Sequence, residues 1–157
     1  MKTDCVERLV QRLKEQGRTL ATAESCTGGL LGKRITDVSG ASSVYPGGVV
    51  SYSNSVKAKL LGVSEEDLRN HGAVSEPVAR QMAEGVRLAI GADLGVGITG
   101  IAGPKSDDTK KPVGLVYIAA SDGENTLCKE CHFDGDRSSV RQQSTDEAAL
   151  LVLKLLE

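Results

Sequence analysis

Short apolar segments typical of strands alternate with segments of helical period along almost the whole sequence, and this alternation restricts the chain to an α/β fold. The segments with strand composition are residues 19–25, 47–53, 93–100, 112–121 and 125–133. The segments with helical character are residues 4–16, 28–38, 54–62, 64–72, 75–91 and the stretch that begins at 136. Because few residues separate the later strands, we expect part of the sheet to be antiparallel. The sequence therefore predicts a three-layer α/β/α sandwich with a mixed sheet of about five strands.

Polar residues mark the beginning of several of these helices. Asn54 and Ser75 are the expected N-caps of two of them, and Ser64 opens a Ser-x-x-Asp variant of the capping box. Asp136 can cap the last helix. That helix is apolar on nearly all sides near its C-terminal end, so we expect it to pack against the sheet, a partner chain or both.

Size and charge limit the classes of function. A chain of 157 residues can bury its own core, so we expect residues 1–157 to form a single domain. The net charge is −2 with acidic and basic residues mixed along the chain, and with one Phe and no Trp we expect no nucleic-acid partner. No stretch approaches the roughly 20 apolar residues of a membrane span. The N-terminal residues MKTDCVERLVQRL carry charges where a signal peptide would have its apolar core. We therefore expect a cytoplasmic protein with no membrane partner.

The four cysteines are too few for a disulfide scaffold and would stay reduced in the cytoplasm. The stretch CKECH matches the Cys-x-x-Cys-His pattern of haem attachment. In an alternating strand, however, Cys128 and Cys131 point to opposite faces and cannot hold one ligand. We therefore expect neither haem nor a metal site here.

The stretch TAESCTGGLL contains the first candidate for chemistry, because it joins a strand to a helix. Ser25 is a candidate nucleophile, and the neighbouring Cys26 is an alternative whose pKa a helix N-terminus would lower. Gly28 and Gly29 allow a ligand to approach the backbone, and exposed amides of the following helix would stabilise an anion or an oxyanion. Serine and threonine are also ordinary helix caps, so a structural role for Ser25 and Thr27 is the alternative.

A serine nucleophile needs a base, and the two histidines are poorly placed for this role. His71 is predicted at a helix end and His132 on a strand, so a Ser/His/Asp triad has no support. A lysine whose pKa is lowered by burial can serve instead, and Lys57 follows the strand that ends near Tyr52. The spacing alone favours the alternative of a solvated Lys57 and a partly buried Tyr52.

Two further segments are candidate anion sites. The loop GITGIAGP contains Thr99, Gly100 and Gly103 after an apolar strand, which is typical of a phosphate or nucleotide cradle. It lacks the Gly-Lys-Ser/Thr ending of a triphosphate-binding loop. Arg137, near the start of the last helix, can offer a forked donor to phosphate or carboxylate, and a surface salt bridge is the alternative.

Six motifs, taken together and in order, closely resemble the CinA C-terminal domain family, the nicotinamide mononucleotide amidases. They are TAESCTGGLL, GGVVSYSNSVKAKLLGV, HGAVSEPVA, TGIAGP, KPVGLVYIA and FDGDR. The resemblance implies hydrolysis of the carboxamide of nicotinamide mononucleotide to nicotinic acid mononucleotide and ammonia. It also implies an α/β/α sandwich, a small-molecule nucleotide substrate, no metal or organic cofactor, and a homodimer or higher homo-oligomer.

The resemblance also assigns roles, because the family is understood to use a serine, a lysine and a tyrosine. Matched onto this sequence, the catalytic residues are Ser25, Tyr52 and Lys57, with Lys57 as the base, acting directly or through Tyr52. The residues expected to contact the substrate are Cys26, Thr27, Gly28, Gly29, Thr99, Gly100, Gly103 and Arg137. Where many relatives carry glycines after TGIAGP, this chain has the polar stretch KSDDTKK at 105–111. A non-catalytic nucleotide-binding or scaffold module and an amidase for another small amide are the alternatives.

Overall fold

A computed structural model of the chain, which describes residues 3–106 and 110–157, has the α/β/α architecture with a five-stranded mixed sheet. The strands are β1 (Leu20–Glu24), β2 (Gly47–Val50), β3 (Leu94–Gly100), β4 (Leu115–Ser121) and β5 (Thr126–His132). Their order is β2-β1-β3-β4-β5, with β2, β1 and β3 parallel and the β3-β4 and β4-β5 pairs antiparallel. The prediction of a partly antiparallel sheet is confirmed.

Helices cover both faces of the sheet. They are α1 (Cys5–Gln16), α2 (Leu30–Thr36), α3 (Asn54–Leu61), α4 (Glu65–His71), α5 (Glu76–Ile90) and α6 (Arg137–Leu155), with a 3₁₀ turn at Ala41–Ser43. The larger core joins one face of the sheet to α1, α2 and α6, and a second core joins the other face to α3 and α5. Strand β1, which lies between β2 and β3, is buried at every position because helices lie on both sides of it.

Glycines in β3 allow α5 to lie close against the sheet. A Cβ atom on Gly95 would lie 2.1 Å from the carbonyl oxygen of Ala83, and one on Gly97 would lie 2.8 Å from that of Ala79. Both distances are too short for a side chain, so the helix backbone packs directly on the strand. This close packing holds the start of α5 near the carboxyl end of β3.

The helix caps agree with the sequence in part. Ser64 caps α4 and Asp136 caps α6 by accepting backbone N–H groups, which confirms both predictions. The N-cap of α3 is Ser53, so the prediction of Asn54 is wrong by one residue. Ser75 lies at the N-cap position of α5, but its hydroxyl donates to the carbonyl of Gly72 and caps nothing.

The C-terminal half of α6 packs inside the molecule, as its apolar composition predicts. Val152 is fully buried and Leu153 is largely buried in the core shared with α1 and the sheet, whereas Leu150 is exposed. No helix in the described part of the chain combines the length and the apolar character needed to cross a membrane.

Cys128 and Cys131 lie on opposite faces of β5, as the strand alternation predicts. Cys131 belongs to the core beside α6, and Cys128 packs on the α5 side. Within residues 3–106 and 110–157, no group of three His, Cys, Asp or Glu side chains is arranged to hold a metal ion.

The direction of the strands gathers the candidate loops at one edge of the sheet. Strands β1, β2, β3 and β5 run in the same direction, so their carboxyl ends meet there. Ligand sites in such sheets form where strands end in loops that lead into helices. The segments that follow these four strands contain Ser25, Tyr52, Gly103 and Arg137.

Candidate active site

Ser25 and Lys57 are in direct contact at this edge. Ser25 follows β1, Lys57 lies in α3, and the Nζ atom of Lys57 is 3.0 Å from the Oγ atom of Ser25. Both residues are buried, and the Lys57 side chain is among the largest fully buried ones in the described chain, with 1% of its surface exposed. The alternative of a solvated lysine is wrong.

The hydrogen-bond partners of the Lys57 amine are uncharged oxygen atoms. Its Nζ atom also donates to the carbonyl of Ser51 at 2.8 Å and to that of Tyr52 at 3.3 Å. Burial disfavours the charged ammonium and lowers the pKa of Lys57 from 10.5 to about 8. About a tenth of such a lysine is neutral at pH 7, and the neutral form can accept a proton from Ser25.

Backbone hydrogen bonds between the strand ends fix the positions of both groups. The amide of Ser25 donates to the carbonyl of Ile98 on β3 at 3.0 Å. The amide of Ser51 donates to the carbonyl of Glu24 at 2.8 Å. Ser25, and Ser51 whose carbonyl accepts from Lys57, are therefore both hydrogen-bonded to the ends of neighbouring strands.

Glu24 is a buried residue of the site that the sequence reasoning missed. Its side chain accepts from the hydroxyl of Thr27 at 2.6 Å, from the amide of Leu31 at 2.9 Å and from that of Gly32 at 3.0 Å. The sequence predicted exposed amides at the start of α2. In the structure, the amides of Leu31 and Gly32 instead donate to the carboxylate of Glu24. The available signal was a charged residue at the end of a strand that is otherwise buried.

One amide of the glycine turn that follows Ser25 is already hydrogen-bonded within the turn. The amide of Gly28 donates to the carbonyl of Ser25 at 3.1 Å. Gly28 and Gly29 have φ values of +58° and +104°, which favour glycine. The role of the amides from Thr27 to Gly29 as oxyanion donors stays a prediction.

Cys26 is buried in the core beneath the turn. Burial raises the pKa of its thiol to about 12, so the expectation that the helix N-terminus lowers this pKa is wrong. A thiol with this pKa is almost entirely protonated at neutral pH and is a poor nucleophile. The local geometry therefore favours Ser25 over Cys26.

A cavity of about 240 Å³ opens next to Ser25. The residues named from the sequence that line it are Ser25, Cys26, Tyr52, Lys57, Thr99, Gly100, Gly103 and Arg137. Thr27, Gly28 and Gly29 are not among its lining residues. Asn54, Val74 and Lys105 also line it and were not predicted from the sequence to contact a substrate.

Arg137 connects two sides of the cavity rim. Its Nη1 atom donates to the carbonyl of Gly103 at 2.7 Å, and its Nη2 atom lies 3.5 Å from the hydroxyl of Tyr52. Tyr52 is 65% exposed. Its carbonyl accepts from Lys57, and its phenol lies beside Arg137. A guanidinium at the rim is suited to binding a phosphate or a carboxylate.

Thr99 and Gly100 shape the wall of the cavity. The hydroxyl of Thr99 donates to the carbonyl of Ala73 at 2.8 Å and so holds the segment before α5 against β3. A Cβ atom on Gly100 would lie 2.6 Å from a methyl group of Val116, so the strand leaves no room for a side chain there. Their contact with a substrate stays a prediction.

The two histidines lie outside the cavity lining. His71 ends α4, 3.9 Å from a carboxylate oxygen of Asp67, and His132 lies on β5, 2.8 Å from a carboxylate oxygen of Glu130. A Ser/His/Asp triad, which the sequence left without support, gains none from this placement. The arrangement is instead a serine hydroxyl in contact with a buried lysine, a pairing suited to acyl transfer.

Comparisons with known proteins agree with the fold and the motifs. Residues 2–156 match the family model described as the CinA C-terminal domain. A CinA-like protein from Syntrophus aciditrophicus is 54% identical over 143 residues, which cover 90% of this chain and 34% of that protein. The chain thus spans about a third of the length of such curated relatives. The nicotinamide-nucleotide amidohydrolase PncC of Escherichia coli is 50% identical over 141 residues, which cover 88% of this chain and 85% of that protein.

Solved structures show the same fold. The competence/damage inducible protein CihA from Agrobacterium tumefaciens has a TM-score of 0.92 and 36% identity, with 100% of this chain and 99% of that chain covered. A CinA superfamily protein from Escherichia coli has a TM-score of 0.92 and 34% identity, with 99% and 92% covered. The motifs, the fold and the family match agree, and the chain therefore belongs to the CinA C-terminal domain family.

Proposed function

We propose that the protein is an amidohydrolase that converts nicotinamide mononucleotide to nicotinic acid mononucleotide and ammonia. The observation that carries the proposal is the 3.0 Å contact between buried Lys57 and Ser25 at the cavity. The name of the PncC relatives, which this chain matches over 85% of their length, supports this substrate.

In the first half of the reaction, the neutral amine of Lys57 takes the proton of the Ser25 hydroxyl while Oγ attacks the carboxamide carbon. The amides of the turn from Thr27 to Gly29 are the proposed donors to the oxyanion. When the tetrahedral intermediate collapses, the carbon–nitrogen bond breaks, and the ammonium of Lys57 gives its proton to the departing amide nitrogen, which leaves as ammonia.

In the second half, water replaces ammonia as the partner of Lys57. The neutral amine takes a proton from water, which attacks the ester formed with Ser25. Collapse breaks the bond between the carbonyl carbon and Ser25 Oγ, releases the pyridine carboxylic acid and returns the proton from Lys57 to the serine oxygen. The sum is one amide and one water converted to one acid and one ammonia, with Ser25 and Lys57 restored.

The rim of the cavity supplies the proposed contacts to the nucleotide. Arg137 is the candidate holder of the phosphate, together with the loop that contains Thr99, Gly100 and Gly103. Tyr52 lies beside Arg137 and offers an exposed ring at the same rim. Binding the phosphate at the rim would hold the carboxamide against Ser25.

The first test is to incubate the purified protein with nicotinamide mononucleotide and to follow nicotinic acid mononucleotide and ammonia together. The Ser25→Ala variant is run alongside. Formation of both products in equal amounts by the wild type and of neither by the variant would support the proposal. A wild type that forms neither product would overturn it.

A further inference from the structure

The carboxylate of Glu24 is buried directly beside the proposed nucleophile. Only 2% of the residue's surface is exposed, and it precedes Ser25 in the chain. A charged side chain is seldom buried to this extent unless hydrogen bonds compensate the loss of water. Here those bonds come from the Ser25 turn and from the first turn of α2.

Each carboxylate oxygen of Glu24 has a defined partner. Oε1 accepts from the hydroxyl of Thr27 at 2.6 Å and from the amide of Leu31 at 2.9 Å, and Oε2 accepts from the amide of Gly32 at 3.0 Å. The positive end of the α2 dipole favours a negative charge at this position. One side chain therefore links the end of β1, the turn and the start of α2.

Thr27 is the point at which the turn is held. Its side chain is fully buried and donates to Glu24, while its carbonyl accepts from Nη2 of Arg141 on α6 at 2.8 Å. A Cβ atom on Gly28 would lie 3.1 Å from the same Arg141 nitrogen. The turn after Ser25 is thus fixed from two sides, with Glu24 on one and Arg141 on the other.

We propose that Glu24 is a positioning residue for Ser25 in the reaction proposed above. Acting through Thr27 and the first turn of α2, its carboxylate holds the turn that carries the serine hydroxyl and the oxyanion amides in the reactive geometry. The proposal rests on the proposed function for its kinetic test. It also has a test that does not use the nucleotide substrate.

Two substitutions each remove one of these hydrogen bonds with little change in shape. Glu24→Gln retains an acceptor for Thr27 but directs an NH₂ group toward the amide of Gly32, so one bond is replaced by a contact between two donors. Thr27→Val removes only the hydroxyl that donates to Glu24. Thr27→Ser keeps that hydroxyl but leaves a small void where the methyl group was, which makes it the conservative counterpart.

Thr22→Val is the matched control. Thr22 is a buried threonine on the same strand, and its hydroxyl lies 2.7 Å from that of Tyr45, so it belongs to neither the turn nor the cavity lining. The control measures how much the loss of one buried hydroxyl hydrogen bond on β1 changes activity and stability when the turn is unchanged.

The experiment measures kcat and KM for nicotinamide mononucleotide, and the rate at which a fluorophosphonate probe labels Ser25, followed by intact-protein mass. Loss of positioning is expected to lower kcat and the labelling rate about tenfold or more in Glu24→Gln and Thr27→Val. KM should change less than about threefold, because the rim contacts are untouched. Thr27→Ser should recover activity relative to Thr27→Val, and Thr22→Val should match the wild type in both rates.

Three outcomes would overturn the proposal. The first is that Glu24→Gln and Thr27→Val unfold at lower temperature, yet the folded variants hydrolyse the nucleotide and are labelled at Ser25 at the wild-type rates. The second is that Thr22→Val loses as much activity as Thr27→Val, and the third is that the probe fails to label the wild-type serine. A wild type that is labelled at Ser25 but does not hydrolyse the nucleotide contradicts the proposed function alone, because the labelling rates still test Glu24.

Discussion

The Nζ atom of Lys57 lies 3.0 Å from the Oγ atom of Ser25, although the two residues are 32 positions apart and belong to different elements. The contact forms because parallel strands β1 and β2 end at the same edge of the sheet and α3 follows β2 closely. Two backbone carbonyls, those of Ser51 and Tyr52, aim the amine at the serine. This pair is the proposed nucleophile and base, and it leads to the first prediction.

Replacing Lys57 with methionine should abolish turnover and leave the fold intact. General-base catalysis contributes about 10² to 10⁴ in rate, so kcat should fall by at least about a hundredfold. Methionine fills nearly the same volume without a buried charge, so the melting temperature should not fall markedly. Steady-state kinetics and thermal unfolding by circular dichroism measure the two effects.

Lys59 provides the control for that substitution. It lies on the same helix but is exposed, so Lys59→Met should leave turnover unchanged. If Lys57→Met retained wild-type kcat, Lys57 would not be the base.

The pH dependence of kcat/KM should reveal the pKa of Lys57. Burial lowers this pKa from 10.5 to about 8, and only the neutral amine can accept the serine proton. The value of kcat/KM should therefore rise about tenfold per pH unit below pH 8 and level off above it. The nearby Cys26 thiol has a pKa raised to about 12 and does not titrate in this range.

The measurement is a profile of kcat/KM between pH 6.5 and 9.5 at constant ionic strength. A rate that is flat across this range would contradict Lys57 as the base. A rate that continues to rise to pH 9.5 would contradict the effect of its burial on the pKa.

Removing the hydroxyl of Tyr52 should have a smaller effect than removing the lysine. Lys57 contacts Ser25 directly and is held by the carbonyl of Tyr52, which the Tyr52→Phe substitution retains. The phenol lies beside Arg137, so its loss should change kcat by less than about tenfold, less than the loss of a base. A fall in kcat comparable to that of Lys57→Met would instead place the tyrosine hydroxyl in the proton transfer.

Cys26 should be dispensable as a nucleophile. Its thiol is buried and protonated at neutral pH, so Cys26→Ala should lower kcat less than about tenfold, whereas Ser25→Ala should lose at least about a thousandfold. The free energy of unfolding of Cys26→Ala should be lower by about 1 kcal/mol, because a core side chain is shortened. If the order of the two kcat losses were reversed, the nucleophile would be Cys26.

The period of the apolar residues was sufficient to predict the layers of this fold. Alternation in the strands and a 3.6-residue repeat in the helices depend only on which faces are buried, and both are visible in sequence. Helix caps were less certain, since Ser53 and Asn54 are adjacent and both are good caps. The choice of Ser53 depends on the turn after β2, which the sequence does not show.

The side chains that matter most at the site were harder to predict. Lys57 lies in a short helix with little apolar asymmetry, so its spacing favoured a solvated side chain, and only the family resemblance marked it as a catalytic residue. Glu24 was missed because its partners are amides of α2, and a pattern of residue types does not show where such amides point. In both cases the contact that explains the burial exists only in the folded chain.

Removal of the Arg137 guanidinium should weaken binding of the substrate's phosphate. Arg137 lies at the cavity rim between Gly103 and Tyr52, and hydrogen bonds to charged groups contribute about 1.5 to 3 kcal/mol. Arg137→Met should therefore raise KM for nicotinamide mononucleotide about tenfold or more and change kcat less. The same variant assayed with nicotinamide riboside, which lacks the phosphate, should behave like the wild type with that compound. An equal loss with both compounds would show that Arg137 acts on the shape of the rim and not on the phosphate.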